Sequence, residues 1–274
     1  MQEKRRKKRK ESIMQISLIR KDKENMKASY LVKGSTAAYM NLLRRTIMNL
    51  VPVMAIEDVE FRKNSSVLYD EMLAHRLGLV ALTTDLKSYI LPEPIDGQME
   101  YTAKNSVKLT LKAKGPGTVY ASDLKSKDPA IKPVFPKTIL TELLDEQELE
   151  IEAIAVLGKG VQHAKWCPAL ANYYHNPIIT VNNNSQKLEE CKSKLPPQIF
   201  DKNGKVDKEL IIGFNLVDAV DGICEEVVKV EYEQENFVFN LESWGQLNAK
   251  EIINKAMEII EEEANEAIKI VNKA

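Results

Sequence analysis

The residues best placed for chemistry lie in DEMLAHR, where Asp70, Glu71, His75 and Arg76 crowd together. A carboxylate one helical turn from a histidine is an acid–base pair in outline. Neither a glycine-rich phosphate loop nor a second histidine lies near it, so a charged helix packed on a neighbour is the better reading. His163 and Cys167 stand four apart, a spacing that suits a metal ion on a helix face. Pro168 opposes the helix this geometry needs, which leaves Trp166 as a buried anchor in an extended segment. The chain has 3 cysteines; an odd number, far apart, argues against a disulfide framework. An unbroken basic run extends from Lys4 to Lys10. It is an arm for phosphate contacts, a solvated tail, or the product of a start codon placed ahead of Met14, which stands directly before the first strand.

The apolar pattern says which elements must hold these residues. Gln15 to Ile19 and Ala28 to Val32 read as short strands around a polar turn. Gly34, Ser35 and Thr36 then cap a helix whose stripe is Met40, Leu43, Ile47 and Leu50, with Arg44 and Arg45 side by side on it. Pro52 ends it. Ile56, Val59 and Phe61 form a strand. Asn64, Ser65 and Ser66 interrupt it and cap a short helix from about Val67 to Leu77, with Leu68, Met72, Leu73 and Leu77 on one side and Gly78 as a left-handed stop. Val107, Leu109 and Leu111 alternate with polar residues; Gly115-Pro116-Gly117 turns, and Val119 to Ala121 returns. Asp123 to Pro136 reads as a long surface loop. Leu149 to Val156 is a strand closed by Gly158 and Gly160.

Val228 to Leu241 restores the strand pattern, with Phe237, Phe239 and Leu241 pointing one way. Asn248 and Glu251 make a capping arrangement for a last helix from about Ala249 to Asn272, about 36 Å long at 1.5 Å per residue. Its stripe is Ile253, Met257, Ile260, Ala264, Ile268 and Val271, widened by Ile252, Ile259 and Ala267. That face is long for a domain with one other good helix, so another chain should bury part of it.

A chain of 274 residues can bury one large core or a few smaller ones. Its 44% hydrophobic and 29% charged residues are ordinary for a globular protein. No apolar run reaches membrane-spanning length, and the basic start lacks the apolar core of a signal peptide. The expected place is therefore cytoplasmic, away from membranes. The formal charge of −1 hides an asymmetry: without the seven basic residues from Lys4 to Lys10, 32 basic side chains face 40 acidic ones, a balance of −8. So acidic a body is not itself a nucleic-acid surface.

Four ordered stretches carry a family likeness: NLLRRTIMNLVP from Asn41, NSSVLYDEMLAHRLGLVAL from Asn64, HAKWCPALANY from His163 and FVFNLESWG from Phe237. They resemble the alpha-type assembly subunits of cellular DNA-directed RNA polymerases. The likeness is closest to the archaeal D-type subunits, kin to the bacterial alpha N-terminal domain and the eukaryotic third-largest subunit. It covers nearly the whole chain after Met14.

The resemblance implies an α+β fold. After the basic arm (1–12), which composition alone marks as an expected disordered segment, would come an alpha-like dimerisation domain of a sheet plus two long helices (13–54 and 227–274). An inserted β-rich assembly domain (55–177) and a small ferredoxin-like insert (178–226) would follow its first part. The implied partners are subunit L in a heterodimer, the second-largest subunit and small zinc-binding subunits, with DNA reached only through the holoenzyme. The implied contact residues are Met40, Leu43, Arg44, Arg45 and Ile47 on the first helix, and Asp70, Glu71, His75 and Arg76 on the second. Phe237, Phe239, Ile253, Met257, Ile260 and Ile268 complete the set, and the paired arginines would meet the second-largest subunit.

In some archaeal relatives the insert holds an iron–sulfur cluster on runs of the type C-x2-C-x2-C and C-x3-C-P. Here Leu188, Cys191 and Leu195, before Pro196, fall at one such spacing; Asp218, Asp221 and Cys224 fall at the other. Only one position in each run is still cysteine. The expectation is an insert with no cofactor or metal, in which Cys191 and Cys224 pack in a small apolar core.

Three functions compete. The first is a non-catalytic assembly-platform subunit of archaeal RNA polymerase; the metal-binding aspartates of that enzyme belong to its largest subunit, and nothing here imitates them. The second is a ferredoxin-like metal or electron-transfer module, which needs the ligands that are missing. The third is a stand-alone nucleic-acid binder, opposed by the acidic body and by few aromatic residues beside the basic run. The first accounts for most of the chain.

Overall fold

A computed structural model describes residues 14–22, 24, 26–92, 94, 95 and 98–273; the basic arm expected at 1–12 lies outside them. In chain order the elements are β1 (Gln15–Asp22), β2 (Lys27–Lys33), α1 (Ala37–Asn49), β3 (Val53–Asn64) and α2 (Asp70–Gly78). There follow β4 (Pro94–Ile95), β5 (Gln98–Met99), β6 (Ser106–Lys114), β7 (Gly117–Tyr120), β8 (Lys125–Ser126), β9 (Ile139–Leu143), β10 (Glu148–Gly158) and β11 (Ala169–Val181). The chain ends in α3 (Leu188–Lys192), α4 (Lys208–Gly213), β12 (Val228–Ser243) and α5 (Ala249–Val271). The fold is α+β. One sheet runs β1-β2-β12-β11 and a second β3-β10-β6-β8, with the pairs β7-β9 and β4-β5 beside them. No helix among the described residues is long and apolar enough to cross a membrane.

Two compact units divide the described chain. The larger comprises Leu18–Ser29, Ala38–Asn172 and the residues from Asn240 onward. Its middle strand is β10, antiparallel to β3 on one side and β6 on the other. The alternation along β10 explains its place: Leu149, Ile151, Ala153 and Ala155 enter the core, while Glu148, Glu150 and Glu152 turn outward. There they form a charged ladder: Glu148 takes Lys63 at 3.0 Å and Lys114 at 2.5 Å, Glu150 takes Lys112 at 3.0 Å, and Glu152 takes Lys108 at 2.5 Å and Arg62 at 2.9 Å. The last helix starts as expected. Asn248 accepts the Glu251 N–H at 3.0 Å, and the Glu251 carboxylate accepts the Asn248 N–H at 3.1 Å.

Four expectations for this unit need correction. β7 does not return against β6 but pairs with β9, because β10 and β8 already occupy both edges of β6. The segment Asp123 to Pro136 is no free loop: β8 bonds to β6, and Ile131 is fully buried. α2 begins at Asp70 and not at Val67, with Tyr69 as its unassisted N-cap. Asn64 shapes the preceding turn instead, accepting from Ser66 and donating to the Leu68 carbonyl at 2.9 Å and to Asp70 at 2.7 Å. Gly78 is the last residue of the helix and has no left-handed φ; Leu79 closes it in a right-handed conformation.

The smaller unit comprises the described residues up to Ser17, Tyr30–Ala37 and Tyr173–Phe239. Its core gathers Ile179, Leu195, Ile199, Val206, Ile211, Val220, Val227 and Val228 around Cys191 and Cys224. This is the apolar core expected for the insert, with one difference: the two cysteines are joined in a disulfide, their Cα atoms 6.2 Å apart. Spacing in the sequence spoke against a disulfide; the fold brings α3 and the turn before β12 within bridging distance.

Candidate subunit interface

α2 is held by its apolar side. Leu73 and Leu77 enter the large core, and the Arg76 guanidinium donates to the Ile139 carbonyl at 2.7 Å, tying the helix to β9. Asp70, Glu71, His75 and Arg76 remain exposed. Asp70 is taken by Asn64, and among the described residues no hydrogen bond joins either carboxylate to His75, so the geometry assembles no acid–base pair. Met72, expected on the buried side, is exposed, because the helix offers the core only the Leu73–Leu77 line.

Around this helix lies a surface the sequence reading missed. Val67, Tyr69 and Leu79 are about as exposed as large apolar residues become (72%, 73% and 69%). Val67, Leu68, Arg76, Ile139, Leu140 and Leu144 line an open groove of about 350 Å³. A turn and a strand some seventy residues apart contribute to it, so no periodicity in either could have shown it. Exposed apolar surface of this sort makes the groove a candidate contact for another chain.

On α1, Arg45 is exposed, while Arg44 is half-buried and donates to Asn41 at 2.9 Å. Met40, Leu43 and Ile47 are buried by the chain itself, as are Phe237 and Phe239. These five, expected at a partner contact, are core residues with no surface left to offer. Phe237 packs against Tyr173 and His175, with ring centroids 6.0 and 4.6 Å away.

α5 changes character along its length. Ile252 and Ala256 are fully buried, and Met257 accepts the Tyr39 hydroxyl at 3.2 Å. Ile253, Met257, Ile259 and Ile260 are half-buried. From Glu261 onward every described residue is exposed, including Ala264, Ile268 at 57% and Val271 at 73%. The apolar stripe thus outruns the body that should cover it.

The HAKWCP segment is structural. His163 caps a short turn by accepting the Lys165 N–H at 3.1 Å, and the Cys167 thiol donates to the Ala169 carbonyl at 3.2 Å. Burial pushes that thiol's pKa up. Trp166 is buried, donating to the Val156 carbonyl at 3.3 Å. Lys165 reaches the Ile56 carbonyl at 3.0 Å and pairs with Glu57, closing the segment onto β3.

The residues of the insert do not fit an iron–sulfur cluster. Leu188 and Leu195 carry no donor and pack into the core, Cys191 and Cys224 bond to one another, and Asp218 and Asp221 are exposed. Asp221 accepts the Tyr232 hydroxyl at 2.9 Å. No group of three or more potential ligands stands together among the described residues.

Residues 58–172 match the family described as the RNA polymerase Rpb3/RpoA insert domain. Over 261 residues the chain is 38% identical to the DNA-directed RNA polymerase subunit Rpo3 of Methanothermobacter thermautotrophicus, covering 93% of this chain and 98% of that one. It is 32% identical over 269 residues to the Rpo3 subunit of Pyrococcus furiosus, covering 95% and 98%. The Rpo3 subunit of Methanosarcina acetivorans is 35% identical over 252 residues, covering 90% and 94%.

Proposed function

This chain belongs to the family of archaeal DNA-directed RNA polymerase subunit Rpo3, a non-catalytic subunit of that complex, and we propose that it is the platform on which the polymerase assembles. In this reading the chain pairs with subunit L through the apolar stripe of α5, with Ile268 as the anchor on its exposed part and the half-buried Ile253, Met257 and Ile260 at the margin. The domain of residues 55–177, within which the matched stretch 58–172 falls, receives the second-largest subunit and small zinc-binding subunits over the α2 groove. Asp70, Glu71, His75 and Arg76 supply its charged rim, and Arg45 with Arg44 adds a second contact. The work is done in the cytoplasm, and DNA is met only through the holoenzyme.

One observation carries the pairing. A helix whose first turns are buried by its own chain leaves Ile268 and Val271 of its stripe open to water at 57% and 73% exposure, and an apolar face of this kind is stable in solution when another chain covers it. Co-expression with subunit L tests the reading. The two chains should co-elute as a one-to-one heterodimer that recruits the second-largest subunit. If this chain runs alone while subunit L, properly folded, elutes separately, the reading fails.

A further inference from the structure

We propose that the Cys191–Cys224 disulfide is a redox-operated fastening: oxidised, it fixes the fold of residues 182–227; reduced by a dithiol, it releases them while the β3-β10-β6 sheet persists.

The two cysteines come from opposite halves of the insert. Cys191 sits in α3, and Cys224 in the turn that feeds β12, where its carbonyl accepts the N–H groups of Val227 and Val228 at 2.9 Å. They are 33 residues apart in sequence, and both are buried among Leu195, Ile199, Ile211 and Val220. Besides that core, a few hydrogen bonds cross between the halves: the Asp207 N–H donates to the Ile199 carbonyl at 2.9 Å and the Asp201 N–H to the Lys205 carbonyl at 2.8 Å, beside a bridge between Phe200 and Val206. Asn182 donates to the Val227 carbonyl at 2.8 Å, and Asn183 exchanges bonds of 2.8 and 3.0 Å with the Val206 backbone. Lys187 pairs with Glu226 at 2.5 Å, but with both side chains mostly in water, where such pairs contribute little. The helices have 5 and 6 residues, far below the length that holds in water unaided. A core this small is ordinarily stapled by a covalent link or a metal, and here the link occupies the sulfur atoms that a metal would need.

The larger unit has no such dependence. Its central strand is bonded on both sides, and among the described residues the core around that strand includes no cysteine. Cys167 is a poor entrant into exchange, because burial raises its thiol pKa and keeps it from the reactive thiolate form.

The reaction balances with a dithiol as reductant. Its thiolate attacks one protein sulfur, the S–S bond breaks, and the other cysteine leaves as a thiolate that takes up a proton. The second thiol of the reductant then resolves the mixed disulfide. The protein gains two electrons and two protons, and the reductant departs as a cyclic disulfide.

Hydrogen exchange read by mass spectrometry on the full-length chain tests this, with dithiothreitol as the probe. Alkylation of the unfolded oxidised chain should label one thiol, and of the reduced chain three. On reduction, the protected amides of residues 182–227 should exchange faster by a factor on the order of a few hundred, the restriction expected from closing a loop of this length. Those of β10 should not change. The double variant Cys191→Ser, Cys224→Ser should exchange like the reduced chain and ignore dithiothreitol; the wild-type arm stands by itself if that variant does not fold. Three free thiols in the isolated chain, unchanged exchange after full reduction, or equal acceleration in β10 would each overturn the proposal.

Discussion

The division of α5 into a part buried by its own chain and a part offered to another can be tested by two substitutions on one helix. Ile252 is 0% exposed and Ile268 is 57% exposed. Ile252→Ala removes buried methyl groups and leaves a cavity, at a cost of about 2–5 kcal/mol. For a chain of this size that lowers the melting temperature by roughly 5–15 °C. Ile268→Asp takes nothing from the core. A carboxylate in the last turn of a helix opposes the dipole by about 1 kcal/mol at most, so the isolated chain should melt within a few degrees of wild type. Against subunit L the order reverses, because the carboxylate would enter an apolar contact without a partner. That costs several kcal/mol, or roughly a hundredfold or more in Kd. Met257 makes a worse probe, since it accepts the Tyr39 hydroxyl within the same unit and its replacement would disturb both contacts. Thermal melts of the chain and a sedimentation titration with subunit L give the two readouts. Wild-type affinity in Ile268→Asp, or a wild-type melting temperature in Ile252→Ala, would refute the division.

The charged ladder on β10 predicts an acid-sensitive sheet. Lys114 and Lys63 hold the Glu148 carboxyl at about 2, below its ordinary 4.5. With the folded value lowered, the contribution is complete above the ordinary value and is lost as pH falls through it towards the folded one. Wild-type melting temperature should therefore fall more steeply between about pH 5 and pH 2 than that of Glu148→Gln; parallel curves would contradict the pairing. A Cβ on Gly158 would run into the Trp166 indole, so Gly158→Ala should lose about 1–3 kcal/mol by overpacking. Trp166→Phe should recover part of that loss in the double variant, and additive losses would count against the contact. Anaerobically purified protein should be colourless, since both sulfur atoms of the insert are bonded to each other. Iron and sulfide in matching stoichiometric amounts would overturn that expectation.

What the sequence disclosed, and what it withheld, follows the range of the interactions involved. The start of α5 was legible because Asn248 and Glu251 satisfy each other's backbone within one turn. β10 was legible because its alternation is written in adjacent residues. The partner of β7, the burial of Ile131 and the pairing of Cys191 with Cys224 depend on segments far apart in the chain, and local pattern holds no record of them. Gly78 shows the limit of a local rule: glycine permits a left-handed stop, but the helix needed none.

The contact residues divide for a related reason. Periodicity marks a residue as covered without saying by what. Met40, Leu43 and Ile47 on α1 and Ile253, Ile260 and Ile268 on α5 form stripes of the same kind, yet among the described residues the first three are buried and Ile268 is left 57% exposed. Deciding between self and partner requires counting what the rest of the chain can reach, and only the folded molecule allows that count. For an assembly subunit the count is close to the function itself, because what its own core leaves uncovered is what a second subunit can bind.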